Sequence, residues 1–570
     1  MNKIKVIITT VCCFIGLALF AQNNKAINET VYIHSNASTV LAGEQLYYKF
    51  YCYDVNSNKL SSFSKIGYIE LIDAKQQRVF QQKVNLINGA GLGDYLIPTD
   101  IKSGVYKLVG YTKWMLNPPF NESIFKTEIY IINPYQSSDI ASEQYTLTEK
   151  EAIPEVHNAS AFKLPKHEYN NRETVALTIN DSYLDILKGG SYSISVRKME
   201  ELPTPETPAF RTQLEHARSI DSQLNLSQAT YLPELRGELL SGKLTNDTDP
   251  NSVAGFLVGV SLPGEKFFSG ITKTNETGKF YVTLDANTPS TEVVIQPLNT
   301  TSEVTFTLDP IYQYNSPVTI SSKLPLLMKY EDAIVNRSLS NQIENAYYSV
   351  KKDTILDLTK EQNFFGEGKE YLLSDYTKLK NLEEVILELI PEMYTTKRKD
   401  IYKIHLRDYN NVKNRSYYGE TLVLVDGIQV KDLNPLFEIP VGDIKKITIL
   451  NRGYIIGKDI YNGIASIETF SGNYIQEHSD IFNVSTFTYE RTADSKKYYL
   501  NKYSLTSNSR IPDYRYQLLW NSISDIAKED LTFTTSDISG EFMIELKGFT
   551  KEGKYVTYMK PIKVTPSQDF

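Results

Sequence analysis

The chain is poor in the residues that most chemistry needs. Of 570 residues only 3 are cysteine, 2 tryptophan and 6 histidine. Cys12 and Cys13 fall inside an N-terminal apolar stretch, which leaves Cys52 as the one thiol of the body. A single thiol makes no internal disulfide, and a chain this long buries enough apolar surface without staples. The histidines (His34, His157, His167, His216, His405, His478) are scattered. His167-Glu168 opens like a zinc-protease helix motif, but position 171 is Asn, so the second ligand is missing. No Gly-x-Ser-x-Gly elbow and no phosphate-cradling glycine loop occurs. No catalytic residue, cofactor-binding residue or metal ligand is assigned, no cofactor is implied, and the chain is expected not to be an enzyme. A surplus of positive charge is also lacking. Lys and Arg total 60 against 68 Asp and Glu, which argues against nucleic acid as a partner, since phosphates are neutralised by clustered cations.

Long apolar runs are absent as well. The longest, Val6 to Phe20, spans 15 residues and contains Thr9 and Thr10, whereas a membrane-spanning helix needs about 20. Preceded by Lys3 and Lys5 and followed by Ala21, it reads as a secretory signal over residues 1–21. Cys12 and Cys13 sit in mid-run, away from the position of a lipid-modified cysteine. The mature chain is expected to be exported, in the periplasm or associated with the outer membrane, with no transmembrane segment after signal cleavage.

What the chain has in quantity is tyrosine, 40 residues, with 24 phenylalanines. Aromatic and β-branched richness favours strands. In residues 22–135, runs at Glu29–Ile33, Gln45–Tyr53, Ile66–Ile72, Arg78–Leu86, Gly104–Tyr111 and Lys126–Ile132 are separated by turn signals such as Asn88-Gly89, the pattern of a β-sandwich. Tyr47, Tyr48, Phe50, Tyr51 and Tyr53 crowd one of these strands and must point to both faces. One face is expected to be core; the other is either ordinary surface or a contact surface for a partner. A linker and a second sandwich are expected over 136–230, where Pro203 to Pro208 reads as a stiff exposed loop. A third sandwich is expected over 231–320. Over 321–475 the apolar period turns helical at 326–347 and at Leu379–Ile390, which Pro391 stops, and leads into a small α+β domain. A last sandwich is expected over 476–570. The fold class is thus mainly β: several sandwiches with one small α+β domain.

Four stretches carry a family resemblance. Val31 to His34, Leu41 to Phe50 and Gly104 to Met115 resemble the macroglobulin-type sandwich. The Gly242 strand and the turn Thr274 to Phe280 resemble the carboxypeptidase-regulatory-like sandwich. Leu422 to Val430, Asp443 to Leu450 and Tyr461 to Thr469 resemble the plug domain of TonB-dependent receptors, although Tyr454 to Gly457 carries bulky residues where the receptors have small ones. Arg510 to Arg515, Leu518 to Asn521, Phe533 to Phe542 and Gly548 to Gly553 resemble the closing sandwich of large Bacteroidetes envelope proteins, and the module order is similar to theirs. Thioester macroglobulins use Cys-Gly-Glu-Gln; here Ala42 precedes Gly43-Glu44-Gln45, so no thioester can form. Asp426-Gly427 reads as a tight hairpin turn and not as a catalytic acid. Gly453, Gly457 and Gly463 read as backbone turns. With 101 residues after Thr469, and spanning strands of roughly 9–11 residues in barrels of about 22 strands, the chain is expected to build no barrel of its own. The resemblance implies an interaction scaffold at the outer membrane, with outer-membrane or other envelope proteins as partners. It leaves two alternatives: an accessory subunit of a TonB-dependent uptake system, and a protease-trapping protein with Pro203 to Gln213 as its bait.

Overall fold

The computed structural model describes residues 27–567, apart from 137–160, 200, 221–228, 247–248, 250–252, 265–266, 285–289, 299–303, 312, 321–323, 326–327, 357–367, 377–378, 408–419, 457–458, 504–510, 525, 527–528 and 530. The leader expected at 1–21, Gly457, and most of the expected linker lie outside the described residues. The fold is mainly β, as expected. No helix among the described residues is long and apolar enough to cross a membrane.

Sandwich I closes within the expected N-terminal stretch. One sheet pairs Glu29–Ser35 with Gln45–Asp54, which also pairs with Lys59–Leu60 and Ala90–Leu96. The facing sheet runs Thr39–Leu41, Phe125–Ile132, Gly104–Tyr111, Ile66–Ile72, Arg78–Asn85. Strand alternation sends Leu46, Tyr48, Phe50 and Cys52 into the core between them. Gly67 sits under the Phe50 ring, where a Cβ would lie 2.7 Å from the ring.

Sandwich II is where structure and sequence reading diverge. The two sandwiches expected at 136–230 and 476–570 share one five-stranded sheet: Glu168–Asn170, Tyr555–Thr565, Gly540–Phe549, Ser191–Lys198, Gln517–Ile523. Ser191–Lys198 is interior to that sheet, and both of its neighbours come from the far end of the chain. One core holds Ile194, Val196, Leu519, Ile544 and Leu546. The pattern at 191–197 announces a half-buried strand, but alternation is silent about which strand lies beside it.

Sandwich III packs Glu238–Thr245, between Lys279–Leu284 and Thr305–Leu308, on Leu257–Leu262, Phe268–Lys273 and Glu292–Pro297. Ser485–Thr488 adds a strand beside Glu292–Pro297, so part of the expected C-terminal sandwich belongs here instead.

The α+β unit carries the sheet Lys369–Leu372, Ile444–Leu450, Ile464–Thr469, Leu422–Val425, Ile428–Val430. Helix Leu382–Leu389 covers it with Leu382, Val385 and Ile386. Its start is capped reciprocally: Glu384 N–H donates to the Asn381 side chain, and the Glu384 carboxylate accepts from Lys380 N–H, both at 2.9 Å. Asp426 and Gly427 make the expected hairpin turn with φ of 51° and 83°. The Asp426 carboxylate accepts from Thr469 N–H and Oγ1, each at 2.7 Å, and so ties the turn to the next strand. The edge Ile428–Val430 faces sandwich III, where Gln296 Nε2 donates to the Gln429 carbonyl at 2.8 Å.

Sandwiches I and II are joined by polar groups. The outer face of strand Gln45–Asp54, the possible partner surface, is covered by the chain's own C-terminal strands. Tyr47 stacks on Trp520 at 6.1 Å, Tyr51 and Tyr53 meet Phe549 at 5.2 and 5.4 Å, and Lys49 Nζ donates to the Tyr192 carbonyl and Ser522 Oγ. His34 lies 2.7 Å from Ser193 Oγ and 3.0 Å from Glu545. Burial, helped by Lys547, lowers the His34 pKa and keeps the ring neutral. Burial pushes the Glu545 carboxyl up, but Lys547 and the His34 hydrogen bond outweigh it and hold it well below the usual range.

Lys49 makes this joint sensitive to pH. Burial pushes its ammonium down to about 7, against about 10.4 in an unfolded chain. Between those values the unfolded chain holds a proton that the folded chain has shed, so this group's contribution to stability rises with pH across the window. Urea midpoints of the wild type are expected to rise from neutral pH toward about pH 9 relative to Lys49→Met, in which that slope is flattened. Equal slopes in the two proteins would show that Lys49 titrates normally.

Candidate binding sites

A cleft of about 620 Å³ opens where sandwich I, sandwich II and helix Glu331–Ala346 meet. It begins with Gly43, whose φ of +87° turns the chain into strand Gln45–Asp54. The carbonyls before and at this turn face the helix: Asn341 donates to Ala42 O at 3.2 Å and Asn345 to Gly43 O at 3.0 Å. A Cβ on Gly43 would stand 2.8 Å from Asn341 Nδ2, so the close approach requires glycine here. Glu44 then receives Arg337 on both oxygens, at 2.7 and 2.6 Å, and accepts from Leu41 N–H at 3.0 Å. Arg197 reaches the same carboxylate at 3.8 Å. Burial pushes the Glu44 carboxyl up, but the Arg337 guanidinium outweighs it and holds the pKa below the usual value. The tripeptide of thioester proteins is here the anchor of a helix.

That helix docks by two kinds of contact: Ala333 and Ile334 pack on Leu41, Ile132 and Leu202, and a polar stripe lies beside them. Arg337, Asn341 and Asn345, at intervals of four, face the protein, while Val335 and Leu339 are 57% and 56% exposed. The sequence places this helical stretch ahead of the α+β domain, leading into it; in the structure it docks on sandwich I through Ala333, Ile334 and the polar stripe. Its spacing was visible in the sequence, but polar stripes are ordinarily solvent faces.

The remaining walls follow from ion pairs. Asp94 binds Lys496 through both oxygens at 2.9 Å and accepts from Gln45 Nε2 at 2.6 Å. Lys351 binds Glu344 at 2.8 Å, and burial nevertheless raises the Glu344 pKa. Arg515 holds Asp513 at 2.6 and 2.7 Å. Asp353 accepts from Tyr499 N–H at 2.9 Å, and burial raises its pKa as well. None of Arg337, Asp353, Lys496 or Arg515 was singled out by sequence, because they lie far apart in the chain.

A second surface lies on the α+β unit. A groove of about 420 Å³ is lined by Leu373, Tyr376, Leu379, Val385, Val441 and Ile444. Tyr376 and Phe470, both in its lining, are 42% and 66% exposed. This apolar face lies toward the Lys369–Leu372 edge, opposite the edge that meets sandwich III.

The structure does not assemble the other sequence candidates into a site. His405 accepts or donates at 2.9 Å to Thr396 Oγ1 and stacks on Tyr394; His216 and His478 contact the backbone carbonyls of Glu122 and Tyr474. His157 lies outside the described residues. Among the described residues no group of three His, Cys, Asp or Glu is placed to hold a metal. Cys52 is buried, and burial pushes its thiol well above the usual range. The stretch Pro203 to Gln213 is fastened at both ends and is not a free loop throughout. Thr39 Oγ1 donates to the Pro203 carbonyl at 2.6 Å, and Phe210 opens helix Phe210–Ser219 inside an aromatic cluster with Tyr32, Tyr53, Phe549 and Tyr555.

No protein-family model and no curated protein matches the chain. Among solved structures it is similar to Salmonella alpha-2-macroglobulin reacted with methylamine (9% identity, 95% of this chain, 40% of that one, TM-score 0.23). It is also similar to Escherichia coli alpha-2-macroglobulin activated by porcine elastase (9%, 94% and 44%, TM-score 0.23) and to the Yersinia pseudotuberculosis adhesin InvE (9%, 50% and 60%, TM-score 0.13). The chain spans about two fifths of the length of these macroglobulins. Superpositions this loose do not place it in their families.

The Glu44–Arg337 pair sets the cleft's frame. Glu44→Gln leaves a buried guanidinium without its counter-charge, a loss of about 3–5 kcal/mol. Replacing both, Glu44→Gln with Arg337→Met, is expected to recover part of that loss in urea unfolding. Additive losses would mean that the two side chains act independently.

Proposed function

We propose that the chain is an exported, non-enzymatic scaffold of the bacterial cell envelope that binds an outer-membrane or other envelope protein through its α+β unit. The observation that carries this reading is the apolar groove and its exposed lining residues, Tyr376 and Phe470, toward the sheet edge that pairs with no sandwich strand among the described residues. Exposed apolar patches of this kind mark interaction sites. The leader-like start and the plug-like segments support an envelope location and a plug-type identity for this unit. The cleft's ion pairs support binding over catalysis, since Glu44, Asp94 and Glu344 are each committed to a cation.

The accessory role in TonB-dependent uptake is a second reading, favoured by the same plug-like unit. In it the groove docks on a receptor barrel. The protease-trap reading keeps only the short stretch Thr204 to Ala209 as its bait, because Phe210 is buried and the chain is pinned at Pro203.

The test is crosslinking in native cells followed by purification under denaturing conditions. The wild type is expected to capture one β-barrel protein of the outer membrane, and the double variant Tyr376→Asp, Phe470→Asp to lose it at unchanged melting temperature. A receptor barrel as the captured protein selects the accessory role. Equal capture by both proteins, or no envelope protein at all, rules the proposal out.

A further inference from the structure

The central cleft is separate from the apolar groove, and its lining has a chemistry of its own. At about 620 Å³ it lies in the roughly 300–1,000 Å³ range of small-molecule sites. Its walls come from five parts of the chain: Asn36 to Tyr47 around the Gly43 turn, Asp94 and Leu96, Arg197, Arg337 to Asp353, and residues between Lys496 and Gln517.

Charge is the first discriminator. The lining cations are already occupied: Arg337 by Glu44, Lys351 by Glu344, Lys496 by Asp94 and Arg515 by Asp513. Arg197 shares Glu44 at 3.8 Å. A phosphate or carboxylate ligand would have to compete with a buried acid for each of them, at the cost of leaving that acid unpaired. The cleft therefore disfavours anions.

Apolar character is the second. Five tyrosines line the cleft (Tyr47, Tyr348, Tyr499, Tyr514, Tyr516), against a single aliphatic side chain, Leu96. A lipid or an apolar peptide is held by aliphatic walls, whereas ring faces beside polar groups suit a ligand with C–H faces and many hydroxyls. Tyr348 is 57% exposed and stands at the rim.

Hydrogen-bond capacity is the third. Asp353 accepts one backbone N–H, from Tyr499, and keeps acceptor capacity for a hydroxyl pair. Burial keeps the Tyr47 phenol protonated, so it both donates and accepts. Gln45 donates to Asp94 through its amide nitrogen, and its oxygen remains an acceptor.

The Tyr516 ring already carries Lys198 and Arg337, and the Tyr47 ring packs on Trp520 and Tyr498, so stacking falls to Tyr348, Tyr499 and Tyr514. From these features we infer that the cleft is a binding site for a neutral glycan, stacked on those three rings and hydrogen-bonded to Asp353, Tyr47 and Gln45.

The test is titration calorimetry of the full chain with maltotriose, cellotriose and N-acetylchitotriose. Sulfated trisaccharides and short peptides serve as competing classes. At least one neutral trisaccharide is expected to bind. Tyr348→Ala and Asp353→Asn are each expected to weaken binding about tenfold or more, at unchanged melting temperature. Leu387→Asp, on the solvent-facing side of helix Leu382–Leu389, is expected to leave affinity unchanged. Binding of only the sulfated sugars or only the peptides would overturn the inference. So would the absence of heat from all three neutral sugars at millimolar concentration, or binding that neither cleft variant affects. None of these outcomes bears on protein capture by the α+β unit.

Discussion

The structure depends on one strand. Ser191–Lys198 finds both of its neighbours, Gln517–Ile523 and Gly540–Phe549, more than three hundred residues away. Everything between Met199 and Asp513 is an insertion between two pieces of one sandwich. Loop-closure entropy grows only slowly with length, so a long insertion adds little cost beyond that of a short one. What matters is whether the returning strands are held firmly, and here an apolar core of Ile194, Val196, Leu519, Ile544 and Leu546 holds them.

The second fastening is polar. His34, Lys49 and Tyr51 meet Ser193, Ser522, Glu545 and Lys547 across the joint between sandwiches I and II. Each such hydrogen bond has a net worth of about 0.5–1.5 kcal/mol, but an unmade one in a buried joint costs more than that. A network of this kind selects one docking geometry, because a small slip strands several partners at once. The aromatic rings around it, Tyr47 on Trp520 and Tyr51 on Phe549, provide the apolar share of the contact.

Local patterns were legible; partners were not. The strands of sandwich I, the Asp426-Gly427 turn and helix Leu382–Leu389 with its Pro391 stop were readable because each is set by neighbours in sequence. The single sandwich made from 161–198 and 513–565 was not, because alternation describes a face and never names what covers it. The same blindness left the outer face of Tyr47, Tyr51 and Tyr53 open to two readings, and it is filled by Phe549 and Trp520. The docking of helix Glu331–Ala346 was hidden for a related reason. Its apolar residues have the right spacing for a core face, yet the Glu44 carboxylate and the carbonyls of Ala42 and Gly43 hold its polar side.

The cleft inherits all of this. Its turn belongs to sandwich I, its helix to the insertion, and Arg515 and Gln517 to the returning strands. None of these segments contacts the others through sequence proximity, so the cleft exists only when the long closure is complete. A ligand that binds there recognises the assembled state alone. By mass action such a ligand stabilises the whole closure by RT ln(1 + [L]/Kd), since the unfolded chain offers it nothing. Site and fold are therefore one thermodynamic unit: what holds Ser191–Lys198 between its distant neighbours also sets the distances across the cleft.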